Sequence, residues 1–293
     1  MLIARLIAEP DALSANLERA IREIEGQGMR LHRAEPRRDD VGVLQFEAEG
    51  GALAALRAIL DEAFVPSDLL VADHAPLLPR VFVSDMDSTM IGQECIDELA
   101  DFAGIKPQIA EITERAMQGE LDFAEALSMR VRLLGGLSED AIQQCLDQRI
   151  FPMPGAKTLV ATLKAHGCHT VLVTGGFHQF ADPVAEQLGF ERVVANRLAV
   201  EHGKLTGGLI GGIVDSVIKR QVLLSEAERL NGAASLATGD GANDIPMLQA
   251  ASYGIAYHAK PKARAVADGT IDRGDLTSVL RLLGIARSDW VSV

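Results

Sequence analysis

Two aspartates stand one residue apart in Val81-Phe82-Val83-Ser84-Asp85-Met86-Asp87-Ser88-Thr89, directly after an apolar run. Such a run reads as a buried strand, and ligands of open parallel sheets bind just beyond the carboxyl ends of strands. Two acids placed there repel each other unless a cation or an acid/base role accounts for them. Mg²⁺ takes oxygen ligands, commonly one or two carboxylates with a substrate phosphate. An aspartate can also attack phosphorus and carry the phosphoryl group covalently. The competing reading is an Asx-type turn that merely closes the strand.

A second acidic strand end lies at Thr238-Gly239-Asp240-Gly241-Ala242-Asn243-Asp244. Its glycines let the backbone turn tightly beside a metal or a phosphate. With Asp85, its two acids make an oxygen-rich cluster suited to a hard cation. Taken alone, Asp244 could instead be a helix N-cap. A third stretch, Val173-Thr174-Gly175-Gly176-Phe177, puts a hydroxyl and two glycines where a strand is expected to turn into a helix. Exposed amides there form a phosphate nest, or the stretch is a plain glycine turn. Lys219, in Val217-Ile218-Lys219-Arg220-Gln221, reads by itself as a surface charge. No GxxxxGK[ST] is present and no GxGxxG follows a strand, so P-loop and dinucleotide-binding classes are not supported. Gly207 to Gly212 is expected in a β-hairpin or flap.

The elements that must position these groups fall into two rhythms. Residues 1–75 read β-α-β-β-α-β, with strands at Leu2–Ala8, Leu31–Ala34, Val43–Ala48 and Asp68–Ala72 and helices at Leu13–Glu25 and Ala52–Ala63. A Pro-punctuated linker, His74 to Pro79, follows. Residues 76–293 alternate strand and helix, which predicts a Rossmann-like, doubly wound parallel sheet of the α/β class. Strands are expected at Val81–Ser84, Thr170–Val173, Leu236–Thr238 and Gly254–Tyr257. Helices are expected at Ala156–His166, Val217–Leu230 and Ile245–Ala250. Residues from about 92 to 152 read as almost wholly helical, an insertion that predicts a cap over the sheet edge.

Bulk properties narrow the partners. The 293 residues suit two domains at roughly 100–200 residues each. A net charge of -13 without a Lys/Arg block argues against nucleic acid or an anionic membrane surface. No apolar run reaches the ~18 residues of a spanning helix. The N-terminus is too briefly apolar for a signal peptide. Cys95, Cys145 and Cys168 stand far apart, as reduced thiols of a cytoplasmic protein do.

In order, Asp85-Met86-Asp87-Ser88-Thr89, Thr174-Gly175-Gly176, Lys219 and Gly239 to Asp244 resemble the four motifs of the haloacid dehalogenase superfamily of phosphatases, over residues from about 80 to 275. Residues 91–99, 117–123 and 127–131, with Ala195-Asn196-Arg197-Leu198, are similar to the phosphoserine phosphatase family within it. The βαββαβ segment resembles the ACT-type domain of many bacterial members, though Glu9-Pro10-Asp11 lacks the glycine-rich turn of amino-acid-binding ACT domains. That leaves pairing of two chains into a homodimer beside serine feedback as its role.

The resemblance implies Mg²⁺-dependent hydrolysis of O-phospho-L-serine to L-serine and phosphate, the last step of serine biosynthesis. Asp85 would be the nucleophile and Asp87 the acid and then the base. Thr174, the Gly175 amide and Lys219 would hold the phosphoryl oxygens, with Asn243 close by. The metal would be held by the Asp85 side chain, the Asp87 carbonyl and Asp240, with Asp244 behind them. Glu94 would meet the substrate ammonium and Arg130 its carboxylate, while Met117 and Phe123 would exclude water. Without the resemblance, Glu94 reads as a first-turn helix acid, Arg130 as a surface charge and Phe123 as core. Two other readings stay open at this level: transfer of the phosphoryl group to another small alcohol such as homoserine, and a non-catalytic sensor on the same scaffold.

Overall fold

A computed structural model describes residues 1–117 and 120–293, the Met117 side chain excepted. The elements run β1 (Leu2–Ile7), α1 (Pro10–Gly26), β2 (Arg30–Pro36), β3 (Leu44–Glu49), α2 (Leu53–Phe64), β4 (Asp68–Ala72) and β5 (Val81–Ser84). Four helices follow: α3 (Cys95–Phe102), α4 (Lys106–Met117), α5 (Phe123–Leu133) and α6 (Asp140–Arg149). The chain then alternates through α7 (Ala156–Ala165), β6 (His169–Phe177), α8 (His178–Leu188) and β7 (Arg192–Asn196), and makes a hairpin of β8 (Leu198–Glu201) and β9 (Lys204–Leu209). It closes with α9 (Ser216–Arg229), β10 (Ser235–Gly239), a 3₁₀ turn at Ala242–Asp244, α10 (Ile245–Ala250), β11 (Tyr253–Tyr257), α11 (Pro261–Val266), β12 (Gly269–Ile271) and α12 (Thr277–Leu283).

Ten strands form one sheet in the order β2-β3-β1-β4-β12-β11-β10-β5-β6-β7. From β12 to β7 every pairing is parallel. The α/β class and mainly parallel sheet are therefore as expected. Alternate residues of β5 feed different cores, as the period-2 geometry of a strand requires. Phe82 packs with Leu159, Leu163, Phe180 and Leu280, whereas Val81 and Val83 pack with Val222, Leu223, Met247 and Leu248. Both faces of the strand are covered, which is why it reads as a continuous apolar run.

The chain winds from β5 outward through β6 and β7, then returns to β10 and winds the other way through β11 and β12. The switch of direction lies between β5 and β10, where an open α/β sheet leaves a crevice at its carboxyl edge. One expectation is corrected here. Residues 174–176 do not form the turn into a helix. β6 continues to Phe177, and its register against β7 shifts between Val173 and Phe177. The two glycines have no side chains to pack, so the strand bulges there without ending.

The first four strands have the β-α-β-β-α-β order expected, and they are joined to the parallel sheet. β4 pairs antiparallel with β1 on one side and β12 on the other. Asp68, 1% exposed, stitches this joint. Its Oδ1 accepts from the Asp272, Arg273 and Gly274 amides at 3.1, 2.9 and 3.1 Å, and its Oδ2 from Ser278 Oγ at 2.7 Å. Removing the carboxylate orphans several buried donors at once. Asp68→Ala should therefore lower the unfolding free energy by about 3–5 kcal/mol. Denaturant titration would read this as a lower midpoint at unchanged slope; a loss below about 1 kcal/mol would contradict the role given to Asp68.

Candidate active site

The register of β5 against β10 pairs Ser84 with Thr238. The Thr238 hydroxyl donates to Ser84 Oγ at 2.7 Å, and the Asp85 amide donates to the Thr238 carbonyl at 3.0 Å. Both acidic strand ends therefore emerge side by side. Asp85, Asp240 and Asp244 are buried, at 4%, 7% and 0% exposure, and their ligand atoms lie within 4.8 Å of one another. Asp244 comes this close because Gly239 lacks a side chain: a Cβ there would stand 2.4 Å from Asp244 Cγ.

Lys219 reaches this cluster from α9. Asp215 caps that helix, accepting from the Val217 and Ile218 amides at 2.9 Å each. The Lys219 side chain is 1% exposed, so the surface reading of it is overturned. Its Nζ lies 2.8 Å from Asp85 Oδ1 and 2.8 Å from Asp244 Oδ1. Burial alone would strip the proton from such an amine, but Asp244 and Asp85 outweigh it and raise its pKa. The Asp85 carboxyl is raised well above the usual range by burial and by Asp244, with Lys219 opposing.

The three carboxylates outnumber the two ammonium groups beside them, Lys219 and Lys260. The donor set is all oxygen, which fits a hard cation. Asp244 is already fully engaged, since its Oδ2 accepts from the Gly241 amide at 3.0 Å while its Oδ1 accepts from Lys219. Asp85 and Asp240 are then the members best placed to ligate directly.

Asp87 lies two residues beyond Asp85. Its Oδ1 is buried without a hydrogen-bond partner among the described residues. Its carboxyl is pushed up to about 7, first by burial and then by Glu94, with Cys95 opposing. Thr174 is buried on β6, where its Oγ1 accepts from the Gly176 amide at 2.9 Å. Asn243 stands half-buried in the 3₁₀ turn beside Gly241.

The helical insertion brings residues of α5, and the residue before α3, near these groups. Asp122 caps α5, accepting from the Glu125 amide at 2.8 Å, while Glu125 Oε2 accepts from the Asp122 amide at 3.1 Å. This reciprocal cap fixes Phe123 in the first turn. A Cβ on Gly175 would stand 2.9 Å from Phe123 Cζ, so the ring covers the β6 bulge. Arg130 follows seven residues later, on the same face of the helix. Burial lowers its pKa while Asp97, Glu94 and Asp87 oppose the shift, which marks these charges as neighbours. Glu94 precedes α3 and accepts from Ser88 Oγ at 2.9 Å; burial raises its pKa and Ser88 opposes. Met117 lies outside the described side chains.

The hairpin braces these helices from the other side. Its two-residue turn has His202 and Gly203 at φ 51° and 73°, a conformation that fits the strand twist. The Gly136 amide donates to the Leu205 carbonyl at 2.8 Å, and the Leu205 amide to the Leu137 carbonyl at 2.9 Å.

Three residues near the site were given no role in the sequence reading. Lys260 follows β11, and its Nζ lies 3.3 Å from Asp240 Oδ2. The strand-end rule that found Asp85 and Asp240 applies equally to β11 and would have found it. Ser88 holds Glu94 from a left-handed backbone at φ 54°, for which the sequence gives no signal. Asn196 ends β7 buried, at 2% exposure.

Comparison with known proteins agrees with this geometry. The sequence profile of haloacid dehalogenase-like hydrolases matches residues 82–249. The phosphoserine phosphatase of Albidiferax ferrireducens is 42% identical over 225 residues, covering 73% of this chain and 95% of that one. The phosphoserine phosphatase of Vibrio cholerae is 44% identical over 213 residues, covering 71% of this chain and 64% of that one, a little under two thirds of its length. A solved HAD-family hydrolase from Salmonella enterica serovar Typhi has a TM-score of 0.82 at 26% identity, covering 97% of this chain and 99% of that one. The chain belongs to the haloacid dehalogenase-like hydrolase family.

Proposed function

We propose that this protein is a phosphoserine phosphatase, which hydrolyses O-phospho-L-serine to L-serine and phosphate with Mg²⁺. The observation that carries the reading is the buried Lys219 bridging Asp85 and Asp244 at 2.8 Å each, beside a half-buried Asp87 whose carboxyl stands near 7. A mouth lined by one acid and one guanidinium, Glu94 and Arg130, supports the choice of substrate. So do the phosphoserine phosphatases related to this chain at 42–44% identity.

In this reading Asp85 attacks phosphorus with one carboxylate oxygen while Lys219 and the Met86 amide, at 2.8 and 2.7 Å, hold Oδ1. The bond from phosphorus to the serine oxygen breaks, and Asp87 gives that oxygen its proton. A carboxyl near 7 is half protonated at neutral pH, so it can give a proton and then take one. Asp87 next removes a proton from water, which attacks phosphorus and releases phosphate from Asp85. Thr174, the Gly175 amide, Lys219 and Asn243 hold the phosphoryl oxygens. Asp85, Asp240 and the Asp87 carbonyl, with Asp244 behind them, would hold Mg²⁺, which would supply charge neutralisation on the transferring group. Glu94 pairs with the substrate ammonium and Arg130 with its carboxylate. Phe123, with Met117, keeps bulk water from the intermediate.

The same reading divides the chain near residue 75, with the helical cap at about 92–152. It takes the protein as a homodimer of the cytoplasm. Two observations support it: among the described residues the outer edge of β2 has no strand beside it, and all three cysteines are buried free thiols. Among the described residues no helix is long and apolar enough to cross a membrane.

Purified protein with Mg²⁺ should release phosphate from phosphoserine at least about a hundredfold more efficiently than from an aryl phosphate, because the cap contacts exist only for the amino acid. Equal efficiency would defeat the substrate assignment. Chelation should abolish release and added Mg²⁺ restore it. Arg130→Ala should raise KM for phosphoserine tenfold to a hundredfold, about 1.5–3 kcal/mol, and leave the aryl phosphate KM unchanged. A parallel rise for both substrates would place Arg130 in general phosphate binding instead.

A further inference from the structure

Asn196 belongs to the stretch Ala195 to Leu198, which none of the chemistry above uses. It is the last residue of β7, and its side chain is spent on two backbone groups. Nδ2 donates to the Gly175 carbonyl at 2.8 Å, and Oδ1 accepts from the Val214 amide at 2.8 Å. Both partners are next to the phosphoryl-binding groups. Gly175 lies in the bulge of β6, between Thr174 and Gly176. Val214 immediately precedes Asp215, the residue that caps α9 and so sets the position of Lys219.

Among the described residues no strand ladder joins these two pieces at this point. The register of β6 and β7 is broken between Val173 and Phe177, and it resumes where Phe177 faces Asn196. The segment before α9 lies outside every strand. The amide of Asn196 supplies the missing connection, one donor to the bulge and one acceptor to the helix approach. It suits this task because a primary amide carries donor and acceptor on one rigid plane. Gln179 clamps the next turn of the same stretch, donating to the Leu198 carbonyl at 2.9 Å and accepting from its amide at 3.2 Å.

We infer that Asn196 is a positioning residue for phosphoryl transfer, which fixes the spacing between the Gly175 amide and Lys219. The inference rests on the proposed phosphatase chemistry. A group that presets donors around a developing charge acts mainly in the transition state, because misplacement is felt most where charge is greatest. Loss of Asn196 should therefore reduce kcat more than it raises KM.

Asn196→Asp keeps the shape and the acceptor for Val214 but turns an oxygen toward the Gly175 carbonyl. Asn196→Ala removes both bonds. For both variants kcat for phosphoserine should fall about a hundredfold while KM changes less than about threefold, and the affinity for orthovanadate, measured by calorimetry, should fall at least tenfold. Orthovanadate adopts the geometry of the transferring phosphoryl group, and its binding does not depend on which phosphate ester is the substrate. If the parent protein binds orthovanadate but does not hydrolyse phosphoserine, the substrate assignment fails and the vanadate comparison still decides the role of Asn196. A lower unfolding midpoint with unchanged vanadate affinity per folded molecule would overturn the inference, since a merely structural residue predicts that result. If Asn196→Ala does not fold, Asn196→Asp carries the comparison.

Discussion

The Lys219 ammonium is carried into the protein with 1% of its side chain exposed, and much of the architecture follows from what must surround it. An isolated charge at that depth is several kcal/mol unfavourable. Two carboxylates at 2.8 Å answer it, but they bring a third with them in Asp240, and the cluster overshoots to net negative. A divalent cation bound there would offset the excess, and by mass action would also stabilise the folded state. Such a cluster needs backbones that meet closely without strain. β5 and β10 provide this because they are neighbours in register at the one place where the winding of the sheet reverses.

The charges at the strand ends and the residues of the helical insertion come from different parts of the fold. The acids and Lys219 stand on strands and a helix packed into two cores, so their spacing is held by the interior of the protein. Glu94, just before α3, and Phe123 and Arg130 on α5 belong to the helical insertion. These helices share a core with the sheet through Leu99, Leu127 and Val131, and they are also tied to it by the Phe123 ring over Gly175 and by the hairpin that binds the turn between α5 and α6.

The sequence made legible whatever is written in local pattern. The apolar runs ending in Asp85 and Asp240 declared buried strands and their carboxyl ends together, and the alternation of strand and helix declared the doubly wound sheet. What escaped depends on contacts distant in sequence. Lys219 read as a surface charge because its partners lie 134 and 25 residues away, and only the folded sheet brings them near. The Thr174 to Gly176 stretch read as a turn because glycine pairs mark turns more often than bulges. The joint of β4 with β12 could not be read, since β12 is a three-residue strand with no periodic signature. Asn196 was marked by the family resemblance of its stretch but received no role, because its two bonds go to backbone, which leaves no complementary residue type to find.

The account stands or falls on whether Asp85 itself carries the phosphoryl group. Turnover stopped by rapid acid quench, followed by peptide mass spectrometry, locates it. The account predicts the added phosphoryl mass on the peptide containing Asp85, and its absence when Asp85→Asn is quenched in the same way. Phosphate found on any other residue, or full turnover by Asp85→Asn, would contradict it.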